Sequence, residues 1–475
     1  MTSVGGGGRI GGSSINKVER DYIVNGQKCL HYSYIALIFG TLSKTLTNAG
    51  QSPCIGVIIP SIQTDLNLTL SKITGLYLVA TTTSAGCLPF CGSIIKRLGI
   101  RVFVATVSIC LAGFCFFIAE VENEIGLLFC FFGLRFFGQG NLFNISIVYI
   151  NNWWCESRGT AMGIAGALVS AFLLGLTPII MMNLIKSSGW RGCYRYLGAA
   201  EIAGAAVAFA IWREGPEKYG VLPDGKWEDD GKNKGVMKHK NSNLNIQQPT
   251  DPDRPPPKLT DPTFLTYILS DLLIALTGTA FYFNLQQIFS DSPSISPSII
   301  TLIYPIMAFI GIAGRIISGR LIDIYSHRTV FLSALISNAV ALFLIPSMNM
   351  STVFIAAPLM GYGMSASGNI RGTVHASYYG RANLPRLQSV ASSATVLGSA
   401  LGPFPFGVCR DFTGRFDAAM FVGGAASLVA AWAVFKWGGK PGAGKGGEGT
   451  YELVNFDGGG DDDGVDVDAD DENTI

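Results

Sequence analysis

The sequence predicts an all-helical membrane protein that crosses the bilayer twelve times, as two sets of six helices. Three observations predict it. The 475-residue chain carries long apolar stretches on both sides of one polar insert, six before it and six after. Only 14% of its residues are charged, against about 25% in soluble domains, and they collect near the start, around 213–261 and after Lys436. One short motif of glycine and charge occurs once in each half, in the corresponding loop. A stretch of about 20 apolar residues matches a hydrocarbon layer ~30 Å thick, where only helices or closed barrels satisfy their own backbone.

The spans read, in order, as 31–63, 72–95, 102–120, 125–152, 158–185 and 191–212, then 263–290, 297–318, 329–347, 352–378, 386–410 and 416–437. The first is longer than a plain crossing, which tilt absorbs. It also contains Gly50-Gln51-Ser52-Pro53, which predicts a break in mid-membrane, tolerated only against protein or a water-filled cavity. The domain organisation expected is a disordered cytoplasmic N-terminus (1–30), a first bundle (31–212), a cytoplasmic linker (213–262), a second bundle (263–437) and a disordered acidic tail (438–475). The linker is marked by Pro-Asp-Arg-Pro-Pro-Pro at 252–257, the tail by glycine and then aspartate runs. Residues 1–28 are glycine-rich and polar and do not form a signal peptide, so the first span serves as insertion signal.

An even number of spans puts both termini on one side. The short loops on that side hold Lys96, Arg97, Arg101, Arg158, Arg320, Arg328, Arg381 and Arg386, which makes it cytoplasmic by the positive-inside rule. The sequons at Asn67 and Asn349 then fall outside. The plasma membrane is the expected location.

Composition and motif also exclude function classes. The net charge of +1 and the lack of a basic patch with interleaved aromatics speak against nucleic acid. The ten cysteines lack zinc spacing, so Cys87 and Cys91 read as small packing residues, and no metal or cofactor is expected. Gly439 to Lys445 mimics a phosphate loop, but Gly446 follows the lysine and no strand precedes it. No Ser/His/Asp set or His-Glu-x-x-His occurs among only four histidines, which speaks against an enzyme.

The repeated motif is Gly92-x-x-x-Lys96-Arg97-x-Gly99-x-Arg101 between spans two and three, and Gly319-x-x-x-Asp323-x-x-x-x-Arg328 between spans eight and nine. In each copy a charged residue follows the glycine by four and an arginine by nine, and the copies lie 227 residues apart. Glycine lets two helices approach closely. The charged residues bond helix ends and pair across the helix gap in one conformation only, so Gly92, Arg97, Arg101, Gly319, Asp323 and Arg328 are the expected gating residues.

These residues resemble the major facilitator superfamily, whose signature is G-x-x-x-D-[RK]-x-G-x-[RK]. Asp323 keeps the acidic position and Lys96 replaces it in the first half. Arg135-Phe-Phe-Gly138-Gln139-Gly140 is similar to the family's R-x-x-x-G motif in span four. Gly50-Gln51-Ser52-Pro53, Trp153-Trp154, Arg158 to Gly163, Gly189-Trp190-Arg191, Pro216 to Gly220, Tyr378 to Arg381 and Gly398 to Pro403 resemble the branch of monocarboxylate transporters and oxalate/formate exchangers. The acidic-Gly-Gly-aromatic opening of animal monocarboxylate carriers is not present. The resemblance covers 30–437. It implies two six-helix bundles related by a pseudo-twofold, each of inverted three-helix repeats, with spans one, four, seven and ten lining a central cavity.

An ionisable residue at the bilayer centre costs roughly 2.5–3.5 kcal/mol on insertion scales and needs a reason. Five stand out: Lys44, Arg135, Glu201, Asp271 and Arg371. Lys44, Arg135 and Arg371 suit an anion, arginine by its planar fork and lysine as a point charge. Asp271 suits a proton carrier. It follows Lys44 by the same 227 residues, which suggests matching places in the two halves. Each also has a plainer reading: Arg135 as a tie to backbone carbonyls, Lys44 snorkelling, Arg371 near the cytoplasmic mouth, Asp271 near the start of its span. Glu201 needs only a packing hydrogen bond, and His375 is read as interfacial. Gln51 and Asn48, with Tyr282, Asn284 and Tyr304, are the expected polar lining.

The function expected is a secondary active transporter working by alternating access, with a small organic anion such as a monocarboxylate as substrate and a proton or counter-substrate as coupling partner. Its other partner is the lipid bilayer, and oligomeric state stays open. A transporter-like nutrient sensor, signalling through the insert and tail, and a carrier of a neutral solute are the alternatives.

Overall fold

The computed structural model describes residues 23–24, 27–28, 31–219, 223–224, 260–290, 297–347 and 350–440. Most of the linker, the acidic tail, Asn349 and the Gly439–Lys445 loop beyond Lys440 lie outside the described residues. Apart from a two-residue ladder, Ile23–Val24 with Gln27–Lys28, the described chain is helical.

The first span is α1 (Tyr32–Leu46), a tight turn Thr47–Gly50, and α2 (Ser52–Leu66). The break falls where Gly50 to Pro53 predicted it, because proline fits the first turn of a helix and removes a backbone bond from one that runs through it. Gly50 is required here: an added Cβ would lie 2.0 Å from the Leu134 carbonyl oxygen. Span two is α3 (Leu70–Leu98), N-capped by Thr69, and span three is α4 (Ile100–Ile118). Gly99 joins them at φ 77°, a left-handed conformation that glycine adopts freely.

Span four is α5 (Glu124–Gly133), a wide π-helical segment Leu134–Leu142, and α6 (Phe143–Trp153). The segment holds the whole Arg135–Gly140 motif. Such π insertions are frequent at functional sites. Span five is α7 (Arg158–Ser170), a second π segment Ala171–Leu176, and the start of α8 (Thr177–Ile211). Gly189, at φ 69° and ψ 168°, kinks α8 and divides span five from span six.

The second half follows as α9 (Pro262–Ser290), α10 (Pro297–Ile324), α11 (His327–Leu344), α12 (Met350–Tyr379), α13 (Leu384–Leu401), α14 (Pro403–Thr413) and α15 (Asp417–Trp437). Gly402 and Pro403 mark the division of span eleven into α13 and α14. By length and hydropathy alone six of the described helices qualify as membrane crossers. Several others are interrupted by the turns just named.

Large apolar side chains such as Phe90, Phe309, Phe412 and Val422 face outward, while Ser, Thr and Asn are buried among the apolar side chains of the interior. An apolar outer surface suits a lipid surround, where helix association rests on close backbone approach and interhelical hydrogen bonds. The two halves meet along α3 with α13 and α7 with α10.

Candidate functional site

Lys44 points into protein, not lipid: it is 3% exposed, with Nζ 4.5 Å from the Phe143 ring centroid. The charges acting on it are Arg315 and Arg371, and it has no carboxylate partner among the described residues. Arg315, on α10, reaches between α7 and α12. Its Nε donates to Ser170 Oγ at 3.2 Å, and Nη1 to Asn369 Oδ1 at 3.5 Å. A Cβ at Gly368 would lie 2.7 Å from its Nη1, and one at Gly166 2.6 Å from its Cδ, so both helices keep glycine where the guanidinium passes. Tyr282 is its neighbour from α9.

Arg371 differs, because it is paired. Its Nη1 donates to Asp271 Oδ2 at 3.0 Å and to Thr395 Oγ1 at 3.1 Å. Ser367 Oγ donates to Asp271 Oδ1 at 2.5 Å, and Thr395 to Oδ2. The carboxylate is thus satisfied by two hydroxyl donors and one cation. Lys44 and Arg315 have no carboxylate partner among the described residues.

Two of the four charges expected at the cavity therefore meet, Asp271 and Arg371, while Lys44 packs over Phe143. Arg135 does not join them. It is 1% exposed, donates from Nη1 to the Gly50 carbonyl at 3.3 Å and to Ser52 Oγ at 3.1 Å, and lies 5.1 Å from the Tyr77 ring centroid. It ties span four to the break in span one, the plainer of its two readings. Asn48 and Gln51 also serve that break: Asn48 Nδ2 donates to Thr177 Oγ1 at 2.8 Å and Gln51 Nε2 to Thr47 Oγ1 at 3.1 Å. Asn284 bonds its own helix at Ala280, and the Tyr304 side chain lies outside the described residues.

The sequence reading missed Arg315. Its signal matched that of Arg371, an arginine inside an apolar span, but span eight was not among those the resemblance assigns to the cavity. The matching of Lys44 with Asp271 is corrected too. The Tyr32 hydroxyl bonds the Tyr149 hydroxyl at 3.0 Å and the Ile211 carbonyl; Tyr267 bonds the Tyr378 hydroxyl at 3.3 Å and the Gly438 carbonyl at 2.9 Å. These corners are equivalent, one per half. At ~1.5 Å rise per residue, Lys44 lies about 18 Å beyond its tyrosine and Asp271 only about 6 Å beyond. Glu201 is 1% exposed, and its Oε2 lacks the packing hydrogen bond expected. His375, read as interfacial, is buried within the protein at 2% exposed, four residues before the end of its helix.

At the end that carries the repeated motif, the halves lock. Asp323 accepts from Gly159 N and Thr160 N, both at 2.7 Å, and from Thr160 Oγ1 at 2.5 Å. Ser157, the residue preceding α7, makes no capping bond of its own, so the cap comes from the other half. A negative charge at a helix N-terminus meets free N–H groups and a favourable dipole. Beside it, a Cβ on Gly319 would lie 2.5 Å from the Gly159 carbonyl oxygen. Asp224, near the start of the linker, accepts from Cys155, Glu156 and Ser157 N at 3.0–3.1 Å, which holds the preceding turn in place. Across the other seam, a Cβ on Gly92 would lie 2.6 Å from Arg386 Cα. Asn151 Nδ2 donates to the Gly372 carbonyl at 2.7 Å and Arg381 to that of Asn152 at 2.8 Å. Cross-half hydrogen bonds thus run from mid-helix to this end.

Arg101 and Arg328 were expected to pair across the gap between helices, and they do so within each half. Arg101 bonds the Phe209 carbonyl and sits 4.5 Å from that ring; Arg328 bonds the Phe435 carbonyl and sits 4.8 Å from that ring. Each clamps the third helix of its half to the sixth. Arg97 is exposed.

A family model described as Major Facilitator Superfamily matches residues 37–260 and 263–455. No curated protein matches the chain. Among solved structures, a singly substituted form of the E. coli fucose:proton symporter is similar with a TM-score of 0.62 and 12% identity, covering 86% of this chain and 99% of that one. The proton:xylose symporter bound to 6-bromo-6-deoxy-D-glucose gives a TM-score of 0.65 and 12% identity, covering 89% and 97%. The human organic anion transporter TETRAN gives 0.62 and 12%, covering 84% and 98%.

Proposed function

This chain belongs to the major facilitator superfamily, and from that premise we propose that it is a secondary transporter whose cargo is a small organic anion, a monocarboxylate or a close relative, moved by alternating access. One observation supports the cargo: two cations, the buried Lys44 and the half-buried Arg315, have no carboxylate partner among the described residues, while Arg371 is paired with Asp271. Two uncompensated charges in low dielectric are unfavourable until an anion joins them. The likeness of Trp153-Trp154 and its companion segments to the monocarboxylate branch points the same way. One solved structure of similar fold is an organic anion transporter and two are proton symporters of sugars, so fold likeness alone does not choose.

In this reading the halves 31–212 and 263–437 rock about the central site. The motif end is cytoplasmic, in keeping with its excess of lysine and arginine. Gly92, Gly319 and Asp323 close that end, and flux is coupled to a proton held at Asp271 or to a counter-substrate.

The test is uptake of labelled lactate, pyruvate, formate and oxalate into proteoliposomes, against fucose and xylose. A charge-assisted hydrogen bond contributes about 1.5–3 kcal/mol, so Arg315→Gln and Lys44→Gln should each lower kcat/KM for the acid about 10- to 150-fold. Strong sugar uptake that neither substitution changes overturns the anion assignment.

A further inference from the structure

Among the buried titratable groups that the cation pair and the end lock leave unused is His375. It lies one helical turn from Arg371 on α12, as Tyr267 lies one turn from Asp271 on α9. The four residues border one small cavity, closed by Phe331 of α11 and Ala391 of α13. The cavity volume is about 10 Å³, close to the least that holds one water. The Nδ1 atom of His375 is buried without a protein hydrogen-bond partner, at a cost of about 1–3 kcal/mol if nothing meets it. From the same face the Tyr267 and Tyr378 hydroxyls lead to the Gly438 carbonyl, at the end of span twelve.

We propose that Asp271 and His375, bridged by a water in this cavity, form a proton-transfer pair that passes the coupling proton between the central site and the motif end. A protonated Asp271 gives its proton to the water while that water gives another to Nδ1. Carboxylate and imidazolium replace acid and imidazole, the water is regenerated and the charge of the pair is unchanged. Arg371 stays on the carboxylate. The charged and titratable groups facing His375 are Asp271 and Tyr267 from α9 and Arg371 from its own helix; α11 and α13 present only phenylalanine and alanine to the cavity.

This inference rests on the proton coupling proposed above, and its test separates the two. In proteoliposomes, His375→Gln should keep counterflow of the labelled acid within about two-fold and lower accumulation driven by a pH gradient at least ten-fold. Gradient-driven accumulation equal to the unmodified protein overturns the pair. So does loss of counterflow in both His375→Gln and His375→Asn, which makes the imidazole a packing element. Infrared titration of the purified protein needs no cargo. The carboxylic C=O band that Asp271→Asn abolishes should change its midpoint in His375→Gln. A changed midpoint supports the pair even if the cargo is neutral, and an unchanged one overturns it even if an acid is carried.

Discussion

Replacing Asp323 by Asn should open the motif end. The carboxylate accepts two backbone N–H groups at 2.7 Å and a hydroxyl at 2.5 Å, all from the opposite half. Asparagine keeps one acceptor oxygen and loses the charge. One charge-assisted bond contributes about 1.5–3 kcal/mol and a helix-terminal charge about 0.3–1 kcal/mol, so the loss is about 2–4 kcal/mol. At 1.4 kcal/mol per decade, the equilibrium between closed and open ends shifts about 30- to 700-fold. Electron–electron distance measurement between bioorthogonal spin labels at Lys96 and Tyr325, both exposed and in opposite halves, reads that shift as a longer population. A distance distribution identical to that of the unmodified protein refutes the reasoning, because the lock would then contribute nothing to the choice of state.

Further outcomes are expected. Gly319→Ala sets a methyl group 2.5 Å from the Gly159 carbonyl oxygen and should open the same end with Asp323 intact; an unchanged label distance counts against the close seam. Arg135→Gln should lower Tm, by a loss of about 1–3 kcal/mol, and leave KM within about two-fold, since the guanidinium holds the break in span one. A ten-fold rise in KM at constant Tm would return Arg135 to the substrate site. Arg328→Gln and Arg101→Gln should each cost about 1 kcal/mol of thermal stability and leave the label distance unmoved, because each clamp lies within one half.

Much of the fold was legible because lipid imposes a length on every crossing. The break at Gly50–Pro53 and the two glycine motifs were visible for a related reason: close backbone approach and proline geometry act locally. The site was legible only in part. An ionisable residue in an apolar span announces a cost, but not the partner that offsets it. Arg371 and Asp271 come from helices 100 residues apart and meet through packing alone. The spacing between Lys44 and Asp271 equalled that of the loop motifs, yet the tyrosine corners set a different register for the first helix of each half. Arg315 carried a readable signal that an assumption about cavity helices set aside.

The two copies of the motif have unequal chemistry. Along one seam Asp323 hooks the start of α7; along the other, exposed Lys96 holds the corresponding place and Gly92 rests on the backbone at Pro385 and Arg386. Concentrated salt can loosen only the first of these. The second is a hinge of glycine on backbone, indifferent to it. Opening should therefore be lopsided, a door swinging from one jamb with its latch on the other, and the angle it reaches should depend on ionic strength along a single edge.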